Sequence, residues 1–447
     1  MYETPDNPEA HMDNTPFPKE IVDKFIKESN LPNVGTASIR ELRKLSTQIE
    51  EAAGKKFIRM EMGIPGLPAP EIGIKAEVQA LKNGVASLYP AIEGIPELRK
   101  EAARFVKNFM DIDLSPESFF ATVGSMHGAF SALMVAGRMD KTRDTVLFID
   151  PGFPVHKQLV KMIGVKYTGF DVYNHRGDAL KVKLESYLKK GNISCVLYSN
   201  PNNPSWICFT ELELKIIAEL ADAYNVLVME DLAYFAMDFR KDLGTPGKPP
   251  FQATVARYTD NYILFISSSK AFSYAGQRVG ILVIPPNIYT MEKPDLTRYY
   301  SSAVFGHSVI FNTLYATTAG VSHSAQHGLA ALLKAANDGE YHFLEIVGEY
   351  GNRARIMKKL FQENGFLLVY DKDGDDPIAD GFYFTIRYPG LSGAQLVQEF
   401  LYYGISAIAL STTGSDQEGI RACVSFVLPE QFNELEKRLK LFHCNHQ

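Results

Sequence analysis

The stretch ISCVLYSNPNNPSWICFTELELKIIAELADAYNVLVMEDLAYF (residues 193–235) sets the architecture of the chain. Its opening run ISCVLYS (193–199) and the later VLVME (226–230) are almost continuously apolar. A strand with one wet face alternates apolar and polar residues, whereas a near-continuous run is buried on both faces. Between the two, ELELKIIAELADAYN (211–225) carries helical apolar spacing. Strand, helix, strand in this order predicts a parallel pair with the helix packed over it. Similar short runs recur at TVLFID (145–150), YILFIS (262–267) and VGILVIP (279–285). The expectation is an α/β fold whose large domain holds a mainly parallel sheet covered by helices on both sides.

Outward from this centre the pattern changes. Residues 1–18 are rich in proline and acids and read as an extended arm, and 19–53 read as helical, broken by the LPNVG turn at 31–35. Ser38 is the expected N-cap of the helix that follows that turn. After about residue 320 come a long helical stretch (323–364), FLLVY, FYFTIRY, a helix near 392–403 and an apolar strand ACVSFVL, which together suggest a smaller α+β domain. A chain of 447 residues is long enough for more than one core. The expected division is 1–54 as N-terminal arm and helices, 55–84 as the N-terminal part of the small domain, 85–320 as the large domain and 321–447 as the C-terminal small domain.

Composition narrows the functional classes. The net charge is −6 with no long basic run, which argues against a nucleic-acid partner. No apolar run is long enough to cross a membrane. Cys195, Cys208, Cys423 and Cys444 lack metal-ligand spacing, so neither a zinc site nor a disulfide framework is expected. The start, MYETPDNPEAHMDNTPFPKE, has neither the basic nor the apolar region of a secretory signal, and a cytoplasmic location is the expectation.

Polar residues gather where the buried runs end. TVLFID leads into Pro151-Gly152-Phe153-Pro154, and ISCVLYS into Asn200-Pro201-Asn202-Asn203-Pro204. VLVME leads into Asp231, with Tyr234 just beyond, and YILFIS into Ser268-Ser269-Lys270. Open α/β sheets bind ligands at the carboxyl ends of their strands, so these clusters point to one site. Upstream, Thr122-Val123-Gly124-Ser125-Met126-His127-Gly128 opens a helix. Glycine allows close backbone approach and a helix N-terminus offers free N–H groups, a combination suited to a phosphate.

With these pieces in place the chain resembles the fold-type I pyridoxal-phosphate enzymes, specifically the class I/II aminotransferases, from about residue 55 to 430. SSSKAFSYAGQRVG (267–280) is similar to the family's serine-x-x-lysine segment with its following arginine, and SNPNNP (199–204) and EDLAY (230–234) match in the family's order. The resemblance implies the pyridoxal-phosphate transferase fold, with a seven-stranded-type sheet in the large domain. It implies that Lys270 holds pyridoxal 5'-phosphate as a Schiff base and, once displaced by substrate, moves the Cα proton. Asp231 would keep the cofactor's ring nitrogen protonated, because a nearby carboxylate favours the charged form. Asn203 and Tyr234 would hydrogen-bond its phenolic oxygen, and Phe153 would stack on its ring. Gly124, Ser125, Met126, Ser267 and Arg278 would hold its phosphate, the arginine through a planar fork.

Tyr89, in SLYPAIEGIPELR, matches a tyrosine that reaches the phosphate of a neighbouring subunit, which implies a homodimer with shared sites. Arg421 would bind the substrate α-carboxylate ahead of the strand ACVSFVL, and Gly63, in MGIPG, would lie where the chain passes over the substrate. Two departures stand out. Ser205-Trp206 follows Asn203-Pro204 where the family has threonine-glycine, and Ala379-Asp380-Gly381-Phe382 replaces paired glycines before an aromatic strand. The tryptophan is expected to alter the local turn and the pocket wall. The activity implied is transfer of an amino group from an L-amino acid to a 2-oxo acid by a ping-pong mechanism. A β- or γ-eliminating lyase of the same fold is the alternative, and a non-catalytic pyridoxal-phosphate-binding regulator is a third reading, disfavoured because few residues precede the recognisable fold. No second basic residue stands out as partner for a side-chain carboxylate, so the substrate stays open.

Overall fold

The computed structural model describes residues 15–447, so most of the expected extended arm lies outside the described residues. The chain forms two compact units. One comprises Pro65–Glu349 with Lys372–Ala379, and the other the described residues up to Ile64 with Tyr350–Asp371 and Asp380–Gln447.

The first unit is built on a seven-stranded sheet. Its strands are β1 (Phe119–Thr122), β2 (Thr145–Asp150), β3 (Lys166–Asp171), β4 (Ile193–Ser199), β5 (Leu227–Leu232), β6 (Tyr262–Ser267) and β7 (Gly280–Val283), in the order β1-β7-β6-β5-β4-β2-β3. Only β7 runs against its neighbours. The near-continuous apolar runs became strands buried along their whole length, as at β2, β4 and β6. Two strands were not expected. β3, KYTGFD, lies at the sheet edge with only Phe170 and Asp171 buried, so its pattern is polar. β1 is four residues long. β5 also extends past the expected VLVME to Leu232, because Asp231 continues the parallel ladder opposite Ser199 and Phe265.

Helices lock this sheet in place. Glu211–Tyr224 starts at a capping box, Thr210 with Glu213, and stops at Asn225 in the left-handed region. Gly124–Ala136 packs on β6 and β7, and its Leu133 joins Phe120, Phe148, Leu197, Met229, Phe265 and Leu282 in one buried core.

The expected domain boundaries shift. The helix His323–Asn337 buries Leu329, Leu332 and Leu333 and packs on Glu71–Lys82 and Pro96–Met110. That packing places residues 65–84 and 321–349 in the large unit rather than in a small domain. The expected helical stretch 323–364 is three helices, His323–Asn337, Phe343–Val347 and Glu349–Glu363, interrupted first at Gly339 with φ 73°.

A hairpin, Lys372–Asp373 paired with Asp376–Pro377, also belongs to this unit although the chain on both sides of it does not. Buried Asp373 accepts hydrogen bonds from Arg176 Nη1 (2.9 Å), Arg240 Nη2 (2.7 Å) and the Cys208 N–H (3.2 Å). Arg176 also pairs with Glu213 at 2.6 Å.

The second unit carries a four-stranded antiparallel sheet, in the order Ile408–Ala409, Ile420–Cys423, Tyr383–Arg387, Leu367–Leu368. Ile58–Arg59 pairs in parallel with Ile405–Ser406. Ser38 caps Ile39–Ala53 in a box with Glu41, as expected. Arg421 does not precede its strand. It lies inside Ile420–Cys423, opposite Thr385 and Ile408, and the strand ends at Cys423 because the chain then turns, the Val427 N–H donating to the Val424 carbonyl. Among the described residues no helix is long and apolar enough to cross a membrane.

Candidate active site

β2, β4, β5 and β6 are neighbours running the same way, so their carboxyl ends share one edge of the sheet. That edge collects the strand-end residues singled out in the sequence. Asp231, the penultimate residue of β5, is buried, and its carboxylate accepts a hydrogen bond from the Ala233 N–H at 3.1 Å. Burial pushes its carboxyl up to about 7, against that hydrogen bond and the nearby Lys270 charge, which both pull it down. Lys270 lies half-buried just past β6, where its carbonyl accepts from the Ser273 N–H.

Asn203 and Tyr234, on the loops after β4 and β5, are both buried, with Asn203 Nδ2 donating to the Tyr234 hydroxyl at 3.3 Å. Phe153 directly precedes the helix Pro154–Met162, its ring edge-on to His156 at 5.6 Å. His156 Nε2 lies 3.7 Å from Asp231 Oδ2. That spacing suits an ion pair, but burial pushes the imidazole down to about 4, so the two meet as an uncharged ring beside a carboxyl.

A second cluster forms where Gly124–Ala136 begins. The helix has no side-chain cap, which leaves its first N–H groups without a side-chain acceptor; Ser125 and Met126 lie in this first turn. Gly124 has φ 67°, and a Cβ there would come within 2.5 Å of Arg278 Nη2, so the guanidinium lies directly on the glycine backbone. Gly280 opens β7 opposite Ser267, and a Cβ on it would come within 2.9 Å of the Ser125 nitrogen. The Ser267 hydroxyl accepts from the Ser269 N–H at 3.1 Å. Arg278, exposed, donates to the Ala275 carbonyl at 2.9 Å. Helix dipole, glycine backbone and guanidinium thus meet in an arrangement whose charge suits an anion.

Sequence reasoning missed the residues that hold these loops. Glu230 is buried and accepts from Thr254 Oγ1 (2.6 Å), Asn200 Nδ2 (3.2 Å) and the Val255 N–H (3.2 Å). Burial nevertheless pushes its carboxyl up to about 7. Asn202 Nδ2 donates to the Pro151 carbonyl at 2.7 Å, tying the loop after β4 to the loop after β2. The available signal was a glutamate inside an otherwise apolar run, which needs buried partners.

Trp206, the departure noted after Asn203-Pro204, is fully buried. Its φ is 65° and its ring stands edge-to-face on Tyr234 at 5.3 Å. Left-handed backbone costs about 1–2 kcal/mol. Burying an aromatic surface of roughly 200 Å² at roughly 25 cal/mol/Å² returns about 5 kcal/mol, so the ring's packing outweighs the strain.

Tyr89 is 90% exposed, following the turn Val85–Ser87. In the second unit, Arg421 is buried, donates from Nη2 to the Glu61 carbonyl at 2.5 Å and lies over the Tyr383 ring at 4.5 Å. The Tyr383 hydroxyl lies against Gly63, where a Cβ would come within 1.9 Å of it. Tyr383 therefore links the two residues the sequence selected separately, and the aromatic run FYFTIRY alone did not single it out.

The mainly parallel sheet with its lone antiparallel strand, flanked by helices, is the pyridoxal-phosphate-dependent transferase fold of solved aminotransferases. The family model for aminotransferase class I and II matches residues 55–439, and the chain belongs to that family. It is 26% identical over 360 residues to a probable aspartate aminotransferase of Methanocaldococcus jannaschii, spanning 76% of this chain and 90% of that one. It is 27% identical over 365 residues to an LL-diaminopimelate aminotransferase of Natranaerobius thermophilus, spanning 81% and 84%. Alanine aminotransferase from Pyrococcus furiosus superposes with a TM-score of 0.73 at 20% identity, over 91% of this chain and 96% of that one. The chain is an aminotransferase.

Proposed function

We propose that this aminotransferase holds pyridoxal phosphate at the carboxyl edge of its large sheet, with Lys270 as the covalent anchor and proton carrier. What supports the reading is the adjacency of β2, β4, β5 and β6, at whose carboxyl ends the chain carries Asn203, Asp231, Tyr234 and Lys270. The cradle of Gly124, Ser125, Met126, Ser267 and Arg278 fits a phosphate, since side chains at Gly124 or Gly280 would close it. When bound, the cofactor would supply an aldehyde carbon that condenses with amines and a ring that takes up electron density.

The protein's own residues do the rest. Asp231, whose carboxyl burial raises, would hold a proton on the cofactor's ring nitrogen, since a charged partner beside it would draw it into its carboxylate form. His156 lies 3.7 Å from it as an uncharged ring. Asn203 and Tyr234 would donate to the phenolic oxygen, and Phe153 would cover the ring. Lys270 Nζ would take the Cα proton of the L-amino acid in one half of a ping-pong exchange and deliver a proton to the Cα derived from the 2-oxo acid in the other. Arg421, held against Tyr383, pairs with the α-carboxylate, and Gly63 keeps the chain clear beside it. The exposure of Tyr89 supports a homodimer in which this tyrosine completes the partner's phosphate site. A cytoplasmic location suits free thiols at all four cysteines.

The test is an absorbance titration of the cofactor-loaded protein with a panel of amino acids. A true donor leaves pyridoxamine phosphate in the protein and releases one 2-oxo acid per subunit. Ammonia released with no acceptor present, or no spectral response to any amino acid, overturns the reading.

A further inference from the structure

Trp206 is the only tryptophan of the chain, and none of the roles above uses it. It sits in a tight turn: its N–H donates to the Asn202 carbonyl at 2.9 Å, and the Asn202 N–H donates to the Ile207 carbonyl at 2.9 Å. The same turn carries Asn203, whose amide reaches the Tyr234 hydroxyl at 3.3 Å. The turn therefore grips Tyr234 twice, at the hydroxyl through Asn203 and at the ring through the Trp206 ring, 5.3 Å away at 66°. The ring contact is the one that fixes direction. A tyrosine side chain swings about two torsions, and a wall against its ring limits both, while a single hydrogen bond at its tip tolerates a swing. The wall is itself rigid, because the tryptophan is fully buried and held at a φ of 65°.

We infer that Trp206 is a positioning residue: it holds the Tyr234 hydroxyl at the cofactor's phenolic oxygen and thereby sets the protonation equilibrium of the bound cofactor. This rests on the reading that Tyr234 faces that oxygen. A hydroxyl donating to a charged oxygen is worth more than one donating to a neutral oxygen, and the bond fades once the atoms part beyond about 3.5 Å. Loosening Tyr234 removes a donor that favours the negatively charged oxygen, so the cofactor keeps its proton to higher pH.

The readout is the pH midpoint of the visible absorption of the cofactor-loaded protein, measured for wild type, Tyr234→Phe, Trp206→Phe, Trp206→Gly and the double variant Trp206→Gly with Tyr234→Phe. Tyr234→Phe is expected to raise the midpoint by about one pH unit. Trp206→Gly, which suits the left-handed turn but removes the wall, is expected to raise it by a similar amount, and Trp206→Phe to stay close to wild type. In the Tyr234→Phe background, Trp206→Gly should add nothing, because its effect passes through the hydroxyl. If glycine prevents folding, Trp206→Leu, which keeps bulk without an aromatic face, carries the same expectation. The inference falls if Tyr234→Phe moves the midpoint and Trp206→Gly (or Trp206→Leu in its place) does not, or if the Trp206 shift persists undiminished without the hydroxyl. If Tyr234→Phe itself leaves the midpoint unmoved, the placement of Tyr234 is wrong and the inference falls with it. The lone tryptophan adds a readout in the cofactor-free protein: adding pyridoxal phosphate should quench Trp206 emission, and unchanged emission with cofactor bound would contradict its place beside the site.

Discussion

Glu230 and Asp231 are consecutive residues of β5, so their side chains leave opposite faces of the sheet. Both carboxyls are pushed up to about 7 by burial, but only Asp231 lies near Lys270 and His156. Glu230 instead anchors Asn200, at the base of the loop that presents Asn203. A carboxyl whose folded value lies above its unfolded one contributes stability in its protonated form. That contribution is whole below about pH 4.5 and is gone once the pH passes about 7. Glu230→Gln should therefore flatten the fall in stability across this window by about 3 kcal/mol. Asp231 and His156 still titrate in the variant, so the change in slope reads Glu230. Denaturant unfolding of the cofactor-free protein at several pH values checks this, and an unchanged slope would show that Glu230 is ionised throughout. The sequence exposed the residues that follow strands, because a polar cluster after an apolar run is conspicuous. It hid Glu230, His156 and Tyr383, whose significance lies in partners far along the chain.

At the scale of elements, the apolar runs placed five of the seven strands, three of them with their observed bounds. β3 escaped because an edge strand has little to bury, and β5 outran its apolar run because ladder pairing, not hydrophobicity, carries Asp231. The helix-start reading of Gly124 was legible for a physical reason, since glycine there leaves room for a guanidinium. What the sequence did not reveal is that the cradle has a second wall, the start of β7. Gly280→Ala would press a methyl against the Ser125 nitrogen, 2.9 Å away, and against backbone that cannot swing aside. The expected result is a pyridoxal-phosphate affinity lower by about tenfold or more, with the sheet still folded. Equilibrium binding of cofactor to the variant, set beside its melting temperature, separates a closed cradle from a general loss of fold.

At the scale of the molecule, the helix His323–Asn337 blurred the domain boundary, because its amphipathic pattern does not say which unit it covers. Subunit pairing is testable at the same scale. The Lys270→Ala and Tyr89→Ala proteins should each be nearly inactive. If Tyr89 serves the partner's site, a hybrid of the two carries both lesions in one site and leaves the other intact. Mixing the unfolded variants and refolding them together should restore activity, and a mixture as inactive as its parts would place Tyr89 outside the shared site. The hairpin Lys372–Pro377 has a bearing on engineering. A gene segment encoding residues 65–349 alone would yield a large unit whose Arg176 and Arg240 have lost the Asp373 carboxylate between them. Transplanting or swapping this unit thus calls for two pieces of coding sequence, the second only eight residues long (372–379), spliced in from within what would otherwise pass for its neighbour.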